Sequence, residues 1–293
     1  MPRERIAAEP TREVLAAYAH CRGVTRLSHS SFAAAFWMFP KAKRRALHAI
    51  YAFCRLADDI ADDPAIRGNR ALLLERWRDE LAAAYDGKAV HPVGVALGDA
   101  VARFDLPRQT FEDLLLGVES DLRRTPIETF DELYQYCYRV ASTVGLLIVR
   151  VLGFNDPGTL DYAEAMGVAV QLTNVLRDVG EDAASGRVYL AREDLKRFGI
   201  GEEALRAEPA PDELRLLLAC YAERARIFYE RAAALRPAAD RARLRPADAM
   251  GAIYKSMLDR LQAERFPRER TVRLSNSRRL AIAASVWLRG ARA

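Results

Sequence analysis

The sequence predicts an all-α protein, and three observations carry that reading: apolar residues recur at helical spacing through both halves of the chain, strand-like alternation is absent, and the breaks carry helix-end signals. Leu72, Leu73, Trp77, Leu81 and Tyr85 recur at three- and four-residue intervals, and farther on Leu216, Ala219, Cys220, Ala222, Ile227 and Ala234 do the same, with charges between them. This periodicity and its interruptions give about ten helices.

In chain order, the apolar run Ala46 to Cys54 is one helix, and it ends in acids. The break Pro64 to Asn69 precedes the helix of Trp77, and Gly87 to Pro92 follows it. Pro107 is expected in a first turn, and Thr129 with Glu132 three residues on reads as a capping box. Val144 to Val149 is an apolar helix that Gly153 closes; the break Asn155 to Gly158 leads into Met166 to Val170 and on to Asp182. Connectors follow at Ala183 to Gly186, with a helix end at Gly199, then at Glu208 to Asp212, with Pro211 in a first turn, and at Arg236 to Pro246. No unit of fixed period recurs, which disfavours a solenoid, and no Ser/Gly-rich linker divides the chain, so residues 1–293 are expected to form a single domain.

Composition narrows the partners. A 51% hydrophobic chain can bury a large core, and a net charge of +5 with pI near 9.1 favours anionic ligands. The basic residues are dispersed among acids rather than gathered into an aromatic-studded stripe, so no nucleic-acid partner is expected. Cys21, Cys54, Cys137 and Cys220 are far apart and sit in apolar patterns, as expected of free thiols in a reducing compartment. The charged stretch Met1 to Pro10 lacks a signal-peptide core, and no run approaches the ~20 apolar residues of a membrane span. The expected location is cytoplasmic. His20, His29, His48 and His91 match no metal-ligand spacing and read as structural.

Two acidic clusters stand out. Asp58, Asp59, Asp62 and Asp63 crowd the end of the helix that begins near Ala46. Like charges four apart destabilise a helix by roughly 0.2–0.5 kcal/mol per pair, and acids at a C-terminus oppose the macrodipole by roughly 0.3–1 kcal/mol each. The arrangement returns in Gln171 to Asp182, where Asn174, Asp178 and Asp182 share one helix face. Oxygen ligands without clustered His or Cys suit a hard cation such as magnesium, which keeps several waters and joins carboxylates to phosphates. The alternating ligands, central Gly and terminal Glu of a calcium loop are missing from Asp58 to Asp63. Gly145 and Gly167 each weaken a helix by roughly 1 kcal/mol relative to Ala, which points to a close approach by substrate or by another helix.

At these residues the sequence resembles the squalene and phytoene synthase family: Ser31-Phe32, Tyr51 to Asp62, Tyr136-Cys137-Tyr138-Arg139-Val140-Ala141, and Gln171 to Asp182 with Gly186 to Leu190 stand in family order over nearly the whole chain. The resemblance implies an isoprenoid synthase fold, a single helical bundle around a deep apolar central cavity. It implies magnesium, for which manganese can substitute, held by Asp58, Asp62, Asn174, Asp178 and Asp182, with prenyl diphosphates as substrates. Ser31, Tyr51, Arg55, Gln171, Asn174, Arg177, Tyr189 and Tyr254 would bind substrate, and Tyr136 would guide proton loss or stabilise a cation. A diphosphate-binding arginine is expected at Arg270 or Arg273. Three positions depart from the family pattern: Ser30 replaces a frequent Lys, Ser142 a frequent Gly, and Arg139 a Tyr or small residue.

The implied reaction is head-to-head condensation. Ser30-Ser31-Phe32, Ala141-Ser142-Thr143 and Val272 to Ser275 look more like bacterial presqualene diphosphate enzymes, which favours two farnesyl diphosphates, with NADPH required only if the product is squalene. Val179 to Asp182 with Gly186 to Tyr189 looks equally like phytoene synthases, which join two geranylgeranyl diphosphates. A one-substrate terpene cyclase would pair its first motif with an Asn/Ser/Glu triad, and a non-catalytic helical interaction protein would tolerate loss of Asp58 and Asp178. The tail Arg273 to Ala293 interleaves Arg278, Arg279 and Arg289 with Leu280, Ile282, Val286, Trp287 and Leu288, a pattern expected either to dock on the protein body or to associate weakly with the inner face of a membrane.

Overall fold

Residues 9–27, 36, 39–207, 210–268 and 270–290 are described by a computed structural model, and every regular element among them is helical. The α-helices are α1 Arg12–Leu27, α2 Lys41–Asp62, α3 Arg70–Tyr85, α4 Pro92–Phe104, α5 Arg108–Arg123, α6 Phe130–Cys137, α7 Thr143–Leu152, α8 Gly158–Ala184, α9 Arg192–Arg197, α10 Asp212–Leu235, α11 Arg241–Ala263 and α12 Asn276–Gly290. The predicted end signals hold at several of them. The Thr129 and Glu132 box opens α6, and Gly153 and Gly199 take positive φ just beyond α7 and α9; Asn69, where the expected break ends, accepts from Leu72 N–H to cap α3.

Three local expectations are corrected. Pro107 and Pro211 each precede the first helical residue, and it is Pro92 that occupies the first turn of α4. Pro246 lies inside α11, so that connector ends at Asp240; an N–H is dispensable only near a helix start, and Pro246 stands in the second turn. The stripes of α3 and α10 are also shifted. Leu74, Trp77, Leu81 and Ala84 are buried while Leu72 is 49% exposed, and Leu214, Leu217, Tyr221 and Ala225 are buried while Leu216 is 61% and Ile227 55% exposed. Cys220 goes with the exposed face; Cys21, Cys54 and Cys137 are buried free thiols. Leu214-Arg215-Leu216-Leu217-Leu218 offers two adjacent apolar stripes, and the inward one is selected by contact with α8.

Two compact units emerge, Met1–Arg123 with Thr143–Asn155, and Arg124–Ser142 with Asp156–Ala293. The first packs α2 against α1, α4, α5 and α7 around Phe53, whose ring stacks on Trp77 (centroids 5.1 Å) and meets Phe111 edge-on (5.4 Å). In the second, α8 is the central rod, covered by α10, α11 and α6. Its N-terminus is secured by the buried Asp240 carboxylate, which accepts from Asp156 N–H and Thr159 Oγ1, both at 2.9 Å. The tail helix α12 lies along α11, with Ile282 against the core and Arg245 over the Trp287 ring. Among the described residues no helix is long and apolar enough to cross a membrane.

Candidate active site

The first unit brings Tyr51, Arg55 and Asp58 together. They line a cavity of about 180 Å3 with Phe36, Leu47, Ile50, Cys54, Val144 and Ile148, so one end is charged and the rest apolar. All three polar residues come from successive turns of α2, as their spacing of three and four requires. Asp58 is solvent-exposed, yet its pKa rises to about 7, first through the protein crowding it and then through repulsion from Asp62 and Asp121, with Arg55 opposing. Two cations temper the field: Arg55 pairs with Asp59 at 2.6 Å, and Arg70 donates to Ala61 O and Asp63 O, capping the last turn of α2. Part of the repulsion inferred from sequence is therefore offset by the chain itself.

Asp62 closes α2 one turn beyond Asp58; the second unit carries Tyr136 and the site residues on α8 and the segments beside it. Asn174 Nδ2 donates to Gln171 Oε1 at 3.2 Å, which leaves Asn174 Oδ1 buried with no hydrogen-bond donor. One turn on, Asp178 is paired with Arg177 at 2.5 Å, and Arg177 also bonds the Tyr254 hydroxyl, which ties α11 to the motif. Tyr136 and Tyr189 stack, with centroids 4.9 Å apart and planes at 22°. Asp182 and Tyr189 line one small hollow with Arg187 and Val188. Arg270 is paired with Glu264 at 2.7 Å, while Arg273 offers its carbonyl to Arg260 and keeps an exposed side chain. Ser31, with Ser30, Phe32 and His29, lies outside the described residues.

Several features of the site escape sequence reasoning. Tyr138–Ser142, directly after α6 and two residues beyond Tyr136, is a π-helical turn, an irregularity common at functional sites. Ser142 is buried within it and donates to Glu164 O; a Cβ on Gly167 would stand 2.4 Å from Ser142 Cα, so the close approach expected of Gly167 is to this turn. Gly180, inside the second acidic motif, meets Arg268: a Cβ there would lie 2.6 Å from Arg268 Cβ. Asp121, on α5, adds to the field at Asp58. A glycine in a helix was the available signal for Gly180; Asp121 and the π turn carry none.

Asn174 Oδ1 is a buried carbonyl oxygen in need of a positive partner, and the nearby groups are carboxylates, which suits a hard ion. Among the described residues no three Asp, Glu, His or Cys side chains form a closed cage. Magnesium, which retains water and shares phosphate oxygens, requires none.

Helices alone, bearing two acidic helix ends and an apolar cavity, define a protein of the isoprenoid synthase fold. The chain belongs to the squalene/phytoene synthase family, whose sequence pattern matches residues 25–278, and it is therefore a prenyltransferase. It is 36% identical to a 15-cis-phytoene synthase of Synechocystis sp. over 99% of this chain and 90% of that one. It is 39% identical to a phytoene synthase of Arthrospira platensis over 75% of this chain and 77% of the relative. Among solved structures it resembles a dehydrosqualene synthase in complex with ligand, with TM-score 0.85, 30% identity, and coverage of 96% of this chain and 98% of the other. The squalene synthase HpnC from Alicyclobacillus acidocaldarius gives TM-score 0.78 at 29% identity, covering 88% and 97%.

Proposed function

We propose that the chain condenses two geranylgeranyl diphosphates head to head to phytoene, with residues 1–293 acting as one catalytic domain in the cytoplasm. The diphosphate chemistry rests on one observation above others, the buried and unpartnered Asn174 Oδ1 one turn from Asp178. The C20 substrate is supported by relatives named phytoene synthase at 34–39% identity, which favours it over the farnesyl preference drawn from local motifs. Solved neighbours named for dehydrosqualene and squalene synthesis favour a second reading with C15 diphosphates.

Asp58 and Asp62, with Asn174, Asp178 and Asp182, would hold magnesium, and manganese in its place. When bound, magnesium supplies positive charge to the departing diphosphate. Arg55 and Arg177 add to that charge, and Arg270 or Arg273 would assist. Loss of the first diphosphate leaves an allylic cation, which the C2–C3 double bond of the second chain captures; loss of a proton closes a cyclopropyl diphosphate. Departure of the second diphosphate, rearrangement and loss of another proton give the C40 hydrocarbon. In a squalene-forming enzyme the rearranged cation would instead accept hydride from NADPH at that last step. Tyr51, Gln171 and Tyr254 would border the reacting carbons, and the stacked Tyr136 and Tyr189 pair would present an aromatic face to cationic carbon. Phe36, Leu47, Ile50, Val144 and Ile148 keep water from the prenyl chain.

The test is incubation of purified protein with C20 or C15 diphosphate and magnesium, with and without NADPH, and mass spectrometry of the products. Phytoene from the C20 substrate is the expected result. Turnover of C15 diphosphate alone would replace this reading with the second, and absence of diphosphate release would remove both.

A further inference from the structure

We propose that Tyr221 is a positioning residue for this reaction: its hydroxyl fixes the segment Arg187 to Ala191 so that the Tyr189 ring stays parallel to that of Tyr136. The inference rests on the proposed function, in which the two rings border the reaction centre. Tyr189 lies between α8 and α9 in a stretch without helical hydrogen bonding, packed against the core beside buried Leu190, and the backbone of that stretch is tied at both ends. Arg187 N–H donates to Asp182 O at 2.8 Å at one end, and Ala191 N–H donates to Tyr221 Oη at 2.9 Å at the other.

The second anchor is built to be rigid. Tyr221 is fully buried, and its hydroxyl, while accepting from Ala191, donates to Asp194 Oδ2 at 2.9 Å. Asp194, also buried, is held by both terminal nitrogens of Arg224 at 2.5 and 3.2 Å. The Arg224 guanidinium lies over the rings of Phe130 (4.2 Å) and Tyr221 (4.9 Å). Burial works against the Asp194 charge, but the bonds from Arg224 and Tyr221 hold its carboxyl below the usual range. The same knot reaches the start of α6, which carries Tyr136. Arg192 N–H donates to Ile127 O and Glu193 N–H to Glu128 O, while Phe130 N–H donates to Glu193 Oε1. Both stacked rings are thus suspended from one polar cluster, and within it the Tyr221 hydroxyl is the group that acts as donor and acceptor at once.

Two variants test this. Tyr221→Phe removes the hydroxyl. Ala191→Pro removes the N–H while keeping Tyr221, and the Ala191 φ of −61° suits proline. Tyr162→Phe, which loses a buried bond to Asp248 on α11, is the control for stability alone. Each chain carries 3-fluorotyrosine at position 189, and its fluorine NMR signal is recorded beside steady-state kinetics. With a buried hydrogen bond lost at the anchor, kcat should fall about tenfold in both test variants while KM for the prenyl diphosphate stays within about twofold. Their fluorine signal should shift or broaden, and the control should change neither kcat nor the signal. If either folded test variant keeps the wild-type signal, or the wild-type kcat, Tyr221 is not a positioning residue. A wild-type protein that releases no diphosphate from any allylic substrate would instead remove the functional reading, and the fluorine signal would still decide whether Tyr221 orders Tyr189.

Discussion

Asp58 sits where a carboxylate is least welcome, beside Asp62 and within the field of Asp121. Replacing it by Asn removes that repulsion and, on the proposed function, also removes a magnesium ligand. Asp58→Asn should therefore raise the Tm of the metal-free protein while lowering diphosphate release roughly a hundredfold or more; a variant that loses stability together with activity would contradict the repulsive account. Asp58, Asp178 and Asp182 are legible in the sequence because carboxylates crowded at a helix end are improbable without a counter-ion. Asp121 is not, because α5 brings it from far along the chain.

His48 supplies a second test at this scale. Burial, and then the charges of Arg22 and Arg44, lower its pKa from 6.5 to about 4, and its Nδ1 has no hydrogen-bond partner. Between these values the unfolded chain binds the proton and the folded chain does not, so stability is full above pH 6.5 and declines as pH falls toward 4. With about 1.4 kcal/mol per unit, the loss approaches about 3 kcal/mol. Denaturant melts of wild type and His48→Leu across that window should show the slope in wild type and its flattening in the variant.

Among the elements, helices and their stops are readable because capping chemistry is local: Asn69, Thr129, Gly153 and Gly199 mark ends that the structure shares. Which stripe of α10 faces inward is not local, since that depends on α8. Gly167 shows the same division. Its presence signals a close neighbour, but the neighbour, Ser142 in the π turn, is supplied by tertiary structure. Gly167→Ala should lower the Tm by an amount equivalent to about 1–3 kcal/mol, since the added methyl must displace backbone rather than a flexible side chain; an unchanged melt would refute the contact. On α12, Leu280 and Leu288 remain 72% and 68% exposed beside Arg278, although the helix also docks on α11. Weak association with anionic lipid is the expected consequence. Cosedimentation with anionic liposomes should decrease when residues 276–293 are removed, and equal pelleting of both proteins would argue against it.

For the molecule as a whole, composition reveals the size of the core but not its division. The apolar side chains gather into one cluster per unit, and neither unit is a continuous stretch, because the chain passes from one to the other at Arg123, Ser142 and Asn155. The break at Asn155 to Gly158 marks the last crossing, but no linker or break marks those after Arg123 and Ser142. They do have a consequence for folding. The first unit takes α7 from beyond the crossing, and Leu147, Val151 and Leu152 are buried in its core. Omitting α7 opens leucine-sized holes worth roughly 2–5 kcal/mol each, against a total stability of about 5–15 kcal/mol for a typical domain. A fragment of residues 1–123 should therefore keep helical far-UV dichroism but bind a hydrophobic dye and melt without a cooperative transition. Joining residues 143–155 to it, through a flexible linker as long as the excised 124–142, should restore cooperativity. A sharp melt from 1–123 alone would show that α7 is not required by that core.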